Sequence, residues 1–134
     1  MCIRDSWNTG SVPANGSPIY FDGLTGNVNG NDITGASFSG LTFNSTASAF
    51  TLGCNPVTIT ANVTDLSGNT ETLNLGIILG SPTIIFNGTA GTMNVNGVVS
   101  DGGLGYGVDK VGAGTVFFNG TNTYLCLLYT SRCV

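Results

Sequence analysis

Three short stretches of this chain repeat one another: Gly40-Leu41-Thr42-Phe43-Asn44-Ser45-Thr46, Thr83-Ile84-Ile85-Phe86-Asn87-Gly88-Thr89 and Thr115-Val116-Phe117-Phe118-Asn119-Gly120-Thr121. Each reads as one strand that ends on phenylalanine and runs into a polar turn. Such a unit has one apolar face and cannot bury it alone, so recurring copies stack and share an interior. Repetition therefore narrows the fold to a β-solenoid before composition is considered.

Alternation points the same way. Leu41/Phe43, Phe50/Leu52, Val57/Ile59, Leu73/Leu75, Ile84/Phe86, Met93/Val95 and Val116/Phe118 are apolar pairs separated by one residue. Period two is the strand signature. No glycine-free stretch of ten residues carries apolar side chains at helical spacing, so essentially no helix is expected. Gly and Asn cluster at 53–56, 68–69, 80–82, 88–91 and 102–107, which marks turns between strands. A second echo links Val57-Thr58-Ile59-Thr60-Ala61-Asn62-Val63-Thr64-Asp65 to Met93-Asn94-Val95-Asn96-Gly97-Val98-Val99-Ser100-Asp101, 36 residues later. The phenylalanine copies are 43 and 32 residues apart, so the period is irregular. At roughly 20 residues per coil, about five or six coils are expected. Asn44, Asn87 and Asn119, each just after a strand-ending Phe, are expected to stack as a polar ladder at one corner, since asparagine tolerates left-handed turns.

Both ends read as foreign. Met1-Cys2-Ile3-Arg4-Asp5-Ser6 can be encoded by ATG TGT ATA AGA GAC AG plus a pyrimidine, and the reverse complement of that stretch encodes Cys-Leu-Leu-Tyr-Thr. Those residues occur as Cys126-Leu127-Leu128-Tyr129-Thr130, and Ser131-Arg132-Cys133-Val134 fits a second frame of the first tag. The ends thus resemble the transposon end sequence used to prepare sequencing libraries, read through from both sides of a cloned fragment, as in metagenomic material. The expected organisation is an artefactual tag at 1–6, a genuine segment at 7–125 and a second tag at 126–134. Tags are excluded from fold reasoning. Of the four cysteines only Cys54 then remains, which supports no disulfide framework and no cysteine metal cluster.

Without Arg4, Arg132 and Asp5 the formal charge moves from −4 to −5, six acids against Lys110. One lysine cannot form the basic stripe a nucleic-acid reader needs, so nucleic acid is excluded as a partner. Charged residues make up 7% of the chain, against about 25% in a typical domain. The surface is polar yet nearly uncharged. Disorder is the competing reading of so much Gly, Asn and Thr, but disordered chains lack β-branched and aromatic residues at regular spacing. No run approaches the roughly 18 apolar residues of a membrane helix, so the segment is not expected to insert in a membrane.

Lys110-Val111-Gly112-Ala113-Gly114-Thr115-Val116-Phe117-Phe118-Asn119-Gly120-Thr121-Asn122-Thr123-Tyr124 resembles the autotransporter-associated β-strand repeat: a Lys-x-Gly-x-Gly-Thr opening, alternating aliphatics, then Gly-x-Asn-Thr-Tyr. The match spans about fifteen residues, and a looser likeness to the Asn/Thr/Gly-rich strands of large bacterial surface proteins covers 37–101. Phe117 and Phe118 are bulkier than the family's usual residues, and the Gly-Thr-rich strand that follows the tyrosine in the family is missing. The resemblance implies a right-handed parallel β-helix forming part of a larger passenger domain, secreted and displayed on or released from the bacterial outer surface.

Parallel β-helices also carry polysaccharide lyases and hydrolases, so an enzyme is a competing reading. Glycoside hydrolysis needs two carboxyl groups facing one bond. Asp65 and Asp101 occupy equivalent places in the 36-residue echo and are the pair that could share a face. There is no histidine or genuine arginine to assist them, and a turn or strand-end role is the better expectation. Gly102-Gly103-Leu104-Gly105-Tyr106-Gly107-Val108-Asp109 departs from calcium-binding nonapeptides, because Gly107 stands where they need aspartate. No Gly-Lys-Ser/Thr follows these glycines, so they make no phosphate loop. Asn-x-Ser/Thr sequons at Asn15, Asn44, Asn62, Asn87 and Asn119 follow from composition. Trp7, Tyr20 and Phe21 read as the apolar start of the first coil rather than a sugar platform, and Cys54 as a small packed residue with no histidine to activate it.

The expectation is therefore a non-catalytic structural or adhesive rod segment with no catalytic, cofactor or metal residues. Its partners would be extracellular glycans or proteins and the neighbouring coils of its parent chain. The alternatives are a piece of a carbohydrate-active β-helix enzyme whose catalytic residues lie elsewhere, and a phage or capsid fibre.

Overall fold

Strict alternation gives each strand one row of apolar side chains, and stacking the strands turns those rows inward around a common axis. In the computed structural model, which describes residues 11–25 and 27–126, the chain is all-β and its strands stack in parallel as a β-solenoid of about five turns. In chain order the strands are β1 (Pro18–Phe21), β2 (Val28–Asn31), β3 (Ser37–Phe43), β4 (Thr51–Cys54), β5 (Val57–Asp65), β6 (Thr70–Leu73) and β7 (Ile77–Leu79). They continue with β8 (Thr83–Gly88), β9 (Thr92–Val95), β10 (Val99–Ser100), β11 (Gly107–Val111), β12 (Thr115–Phe118) and β13 (Leu125–Cys126).

One sheet runs β1-β3-β5-β8-β11-β13, with β7 and β10 on a side branch, and the other β2-β4-β6-β9-β12, so the chain alternates between the two except where β7 leads into β8 and β10 into β11. The first sheet forks at β5. Residues 57–59 pair with β7 and residues 62–65 with β8, while β10 lies below β7. Gly80-Ser81-Pro82 separates β7 from β8, and a proline there cannot donate to a ladder. Ile19 lies beside Leu41, Leu41 beside Val63 and Val63 beside Phe86, which makes these coils 22 or 23 residues long. Among the described residues all the ladders are parallel, and none closes into a hairpin.

Twelve of the fourteen alternating apolar residues named above are buried; Val116 and Phe118, in the last coil, are half-buried against the same core. Leu41, Ile84 and Val116 thus share one interior. The repeats themselves are not in register. Phe43 lies beside Asp65 and Asp65 beside Gly88, so Phe86 is two positions away from the column of Phe43. The third copy belongs to the other sheet, where Val116 pairs with Met93 and Phe118 with Val95. With coils of 22 or 23 residues, a 43-residue offset falls just short of two coils and a 32-residue offset is about one and a half. The copies are one local grammar, strand then turn, used on different faces.

Corners bring backbones close together. A Cβ on Gly97 would overlap the Leu75 carbonyl of the coil above, so only glycine fits there. Residues 1–6 and 127–134 lie outside the described residues. Cys126, assigned above to a foreign tail, forms the end of β13 beside Val108.

Candidate functional site

Asp65 ends β5 pointing inward, and Glu71 points inward from β6, on the far side of the corner 66–69. Asp65 is 1% exposed, Ser67 and Glu71 0%. These three residues meet. The Ser67 N–H donates to Asp65 Oδ1 at 2.9 Å, the Ser67 hydroxyl to Glu71 Oε1 at 2.7 Å, and the Phe50 N–H of the coil above to Glu71 Oε2 at 2.6 Å. Ser67 Oγ in turn accepts from the Asn69 N–H at 3.3 Å. A corner leaves backbone donors without ladder partners, and a buried orphan donor is costly. The two carboxyl groups supply those acceptors. Asp65 Oδ2 is buried and has no hydrogen-bond partner. Burial pushes both carboxyl groups above their usual range, and the proximity of Asp65 raises Glu71 further. Sequence reading missed Glu71 altogether. Its signal was a lone acid in the inward row that also holds Leu73 and Leu75.

Asp101 does a different job. Its carboxylate accepts from the N–H groups of Gly103, Gly105 and Tyr106 at 2.8–3.1 Å, and these bonds hold it ionised below the usual carboxylate range. Gly102, Gly103 and Gly105 take positive φ to wrap the loop around it. Asp65 and Asp101 do not face one another. Ser100 pairs with Ile78 and Ile59 with Leu79, so Asp101 occupies the row of Ile59, about 15–20 Å along the strand from Asp65. A glycosidase pair needs about 5–9.5 Å. What the echo preserves is a turn device, since each aspartate accepts the N–H two residues on. The turn role expected for these acids is the one observed.

The remaining candidates also resolve into structure. Asp22 binds the side chains of Thr46 and Asn44 and the Gly23 N–H, which lower its titration. Asn44, Asn87 and Asn119 do not form one ladder, because Asn119 sits on the other sheet and Asn44 pairs with Asp22. A ladder exists, but its members are Asn74, Asn96 and Asn119: Asn119 Nδ2 donates to Asn96 Oδ1 at 2.8 Å, and Asn96 Nδ2 to Asn74 Oδ1 at 2.9 Å. Tyr20 and Phe21 point to opposite faces, Tyr20 outward at 64% exposure and Phe21 into a stack on Phe43. Trp7 lies outside the described residues. Cys54 corrects the sequence reading: it is exposed, adopts a left-handed backbone (φ 72°) and is disulfide-bonded. Lys110 donates to the Gly112 carbonyl at 2.6 Å.

The outward rows of the second sheet are neutral. Thr70, Thr92 and Thr115 stack in one column of the second sheet, and Thr51, Thr72 and Asn94 in the next. Among the described residues no group of three or more His, Cys, Asp or Glu could hold a metal ion, and no helix is long and apolar enough to cross a membrane. No protein-family model, curated protein or solved structure matches the chain.

Proposed function

We propose that this chain is a non-catalytic rod segment of a secreted bacterial surface protein of the autotransporter kind, holding other regions away from the cell and presenting neutral faces to extracellular glycans or proteins. The observation that carries this reading is where the acids go. Four of the six acids in 7–125, Asp22, Asp65, Glu71 and Asp101, are occupied in tying turns or neighbouring coils together, while the outward columns of the second sheet offer only hydroxyl, amide and apolar groups. Such a body grows along its axis by about 4.8 Å per coil, and its length is set by coil number. That is the geometry of a spacer.

Export tests the reading. Placed between a secretion signal and an outer-membrane barrel in a laboratory bacterium, the segment is expected to reach protease and antibody on intact cells. Retention inside the cell would remove the display role. Incubated with a panel of polysaccharides, it is expected to release no new chain ends; measurable cleavage would instead favour the carbohydrate-active alternative.

A further inference from the structure

We propose that the Asp65–Ser67–Glu71 corner is a proton-binding site inside the solenoid, which keeps one proton between its two carboxyl groups at neutral pH and loosens the third coil when that proton is lost. The argument begins from charge. Two carboxylates bridged by one buried serine in an apolar interior need a cation, and among the described residues no packed element brings one. β3, β4, β8, β9 and β12 contain no charged residue; Cys54 of β4 is exposed and disulfide-bonded. On β11, which packs on β8, Lys110 is spent on the Gly112 carbonyl and Asp109 adds no positive charge. Asp22, above, is exposed and bonded to Thr46, Asn44 and Gly23.

Hydrogen bonding decides which group carries the proton. Glu71 has a donor on each oxygen, Phe50 N–H and Ser67 O–H, and these can hold a single negative charge. Asp65 has a donor on Oδ1 alone. A bare buried anionic oxygen is the costlier state, so the proton rests on Asp65 Oδ2. Since burial raises both groups, this corner binds more protons in the folded chain than in the unfolded chain from about pH 4 until the folded pair has titrated. This contribution to stability is complete below the unfolded value and is lost as pH rises through the folded one. Asp22 and Asp101 are shifted down and act in the opposite sense, weakening the fold as pH falls below about 4. The two effects separate on the pH axis.

Carbon-13 side-chain carboxyl NMR of the whole 134-residue chain, with infrared detection of protonated carboxyl, reads the site directly. At pH 7 one protonated carboxyl is expected, and it should disappear in Asp65→Asn. In denaturant titrations from pH 4 to pH 9, the folded-to-unfolded ratio of the native chain is expected to fall by up to about tenfold for each unit by which the pair is raised. Both Asp65→Asn and Glu71→Gln should flatten that slope. Two ionised carboxyls at pH 7, or a slope unchanged in both variants, overturns the proposal, as does stability that follows the concentration of a particular cation instead of pH. Should neither variant fold, the titration of the two native carboxyls decides alone.

Discussion

The same corner of the solenoid is built in opposite ways one coil apart. In the second coil it is filled by Phe43 and Phe50, which with Phe21 make an aromatic cluster at centroid separations of 4.8, 5.4 and 6.2 Å. In the third coil the positions directly beneath are Asp65, paired with Phe43, and Glu71, one place before the Thr51–Thr72 pair and so below Phe50. In the fourth they become Gly88 and Met93. Identical backbone stacking thus accommodates rings, carboxyl groups or a glycine. Register belongs to the ladder; what fills the corner is a local choice. The aromatic corner is stabilised by burial, whereas the acid corner is held by hydrogen bonds to donors that the turn leaves over.

Deleting a ring should therefore do more damage than deleting an acid. Phe43→Ala empties a fully buried site in contact with two other rings, and is expected to cost about 3–5 kcal/mol in denaturant unfolding. A loss below about 1 kcal/mol would mean that the coil above collapses into the space. Glu71→Leu keeps the volume apolar but strands the Phe50 N–H and the Ser67 hydroxyl, for an expected loss of about 1–3 kcal/mol at pH 7. Glu71→Gln, which retains an acceptor for Phe50, should lose much less. If Leu and Gln prove equivalent, hydrogen bonding is not what the acid supplies.

The contrast also explains what sequence could disclose. Alternation exposed the fold because an inward row has to be apolar in nearly every coil, and Leu41, Val57, Ile84 and Met93 all obey it. Coil length was approachable for the same reason. The phase of the repeats was hidden, because Phe43, Phe86 and Phe118 satisfy the same alternation on whichever face they occur, and nothing in a strand-turn motif states its face. Glu71 showed only as a lone acid in an inward row, and its role stayed hidden because it depends on a backbone donor 21 residues earlier. Asp65 and Asp101 were legible as turn residues, since their partners lie only two residues on. Contacts within a turn can be read from the sequence, while contacts between coils require the register.

The asparagine ladder offers the mildest way to sharpen the comparison, since it joins coils by polar bonds at an exposed corner instead of a buried one. Asn96 sits between Asn74 and Asn119, giving one hydrogen bond and receiving another. Asn96→Ala removes both, and water can replace each of them because the side chain is exposed. The expected cost is about 0.5–1.5 kcal/mol, smaller than that of Glu71→Leu although two bonds are lost in each case. Amide hydrogen exchange locates the effect: faster exchange should be confined to the turns after β6, β9 and β12, with the strands protected as before. Destabilisation as large as that of Glu71→Leu would mean that the ladder fixes the stacking distance of the coils, and that burial is not what separates a costly corner from a cheap one.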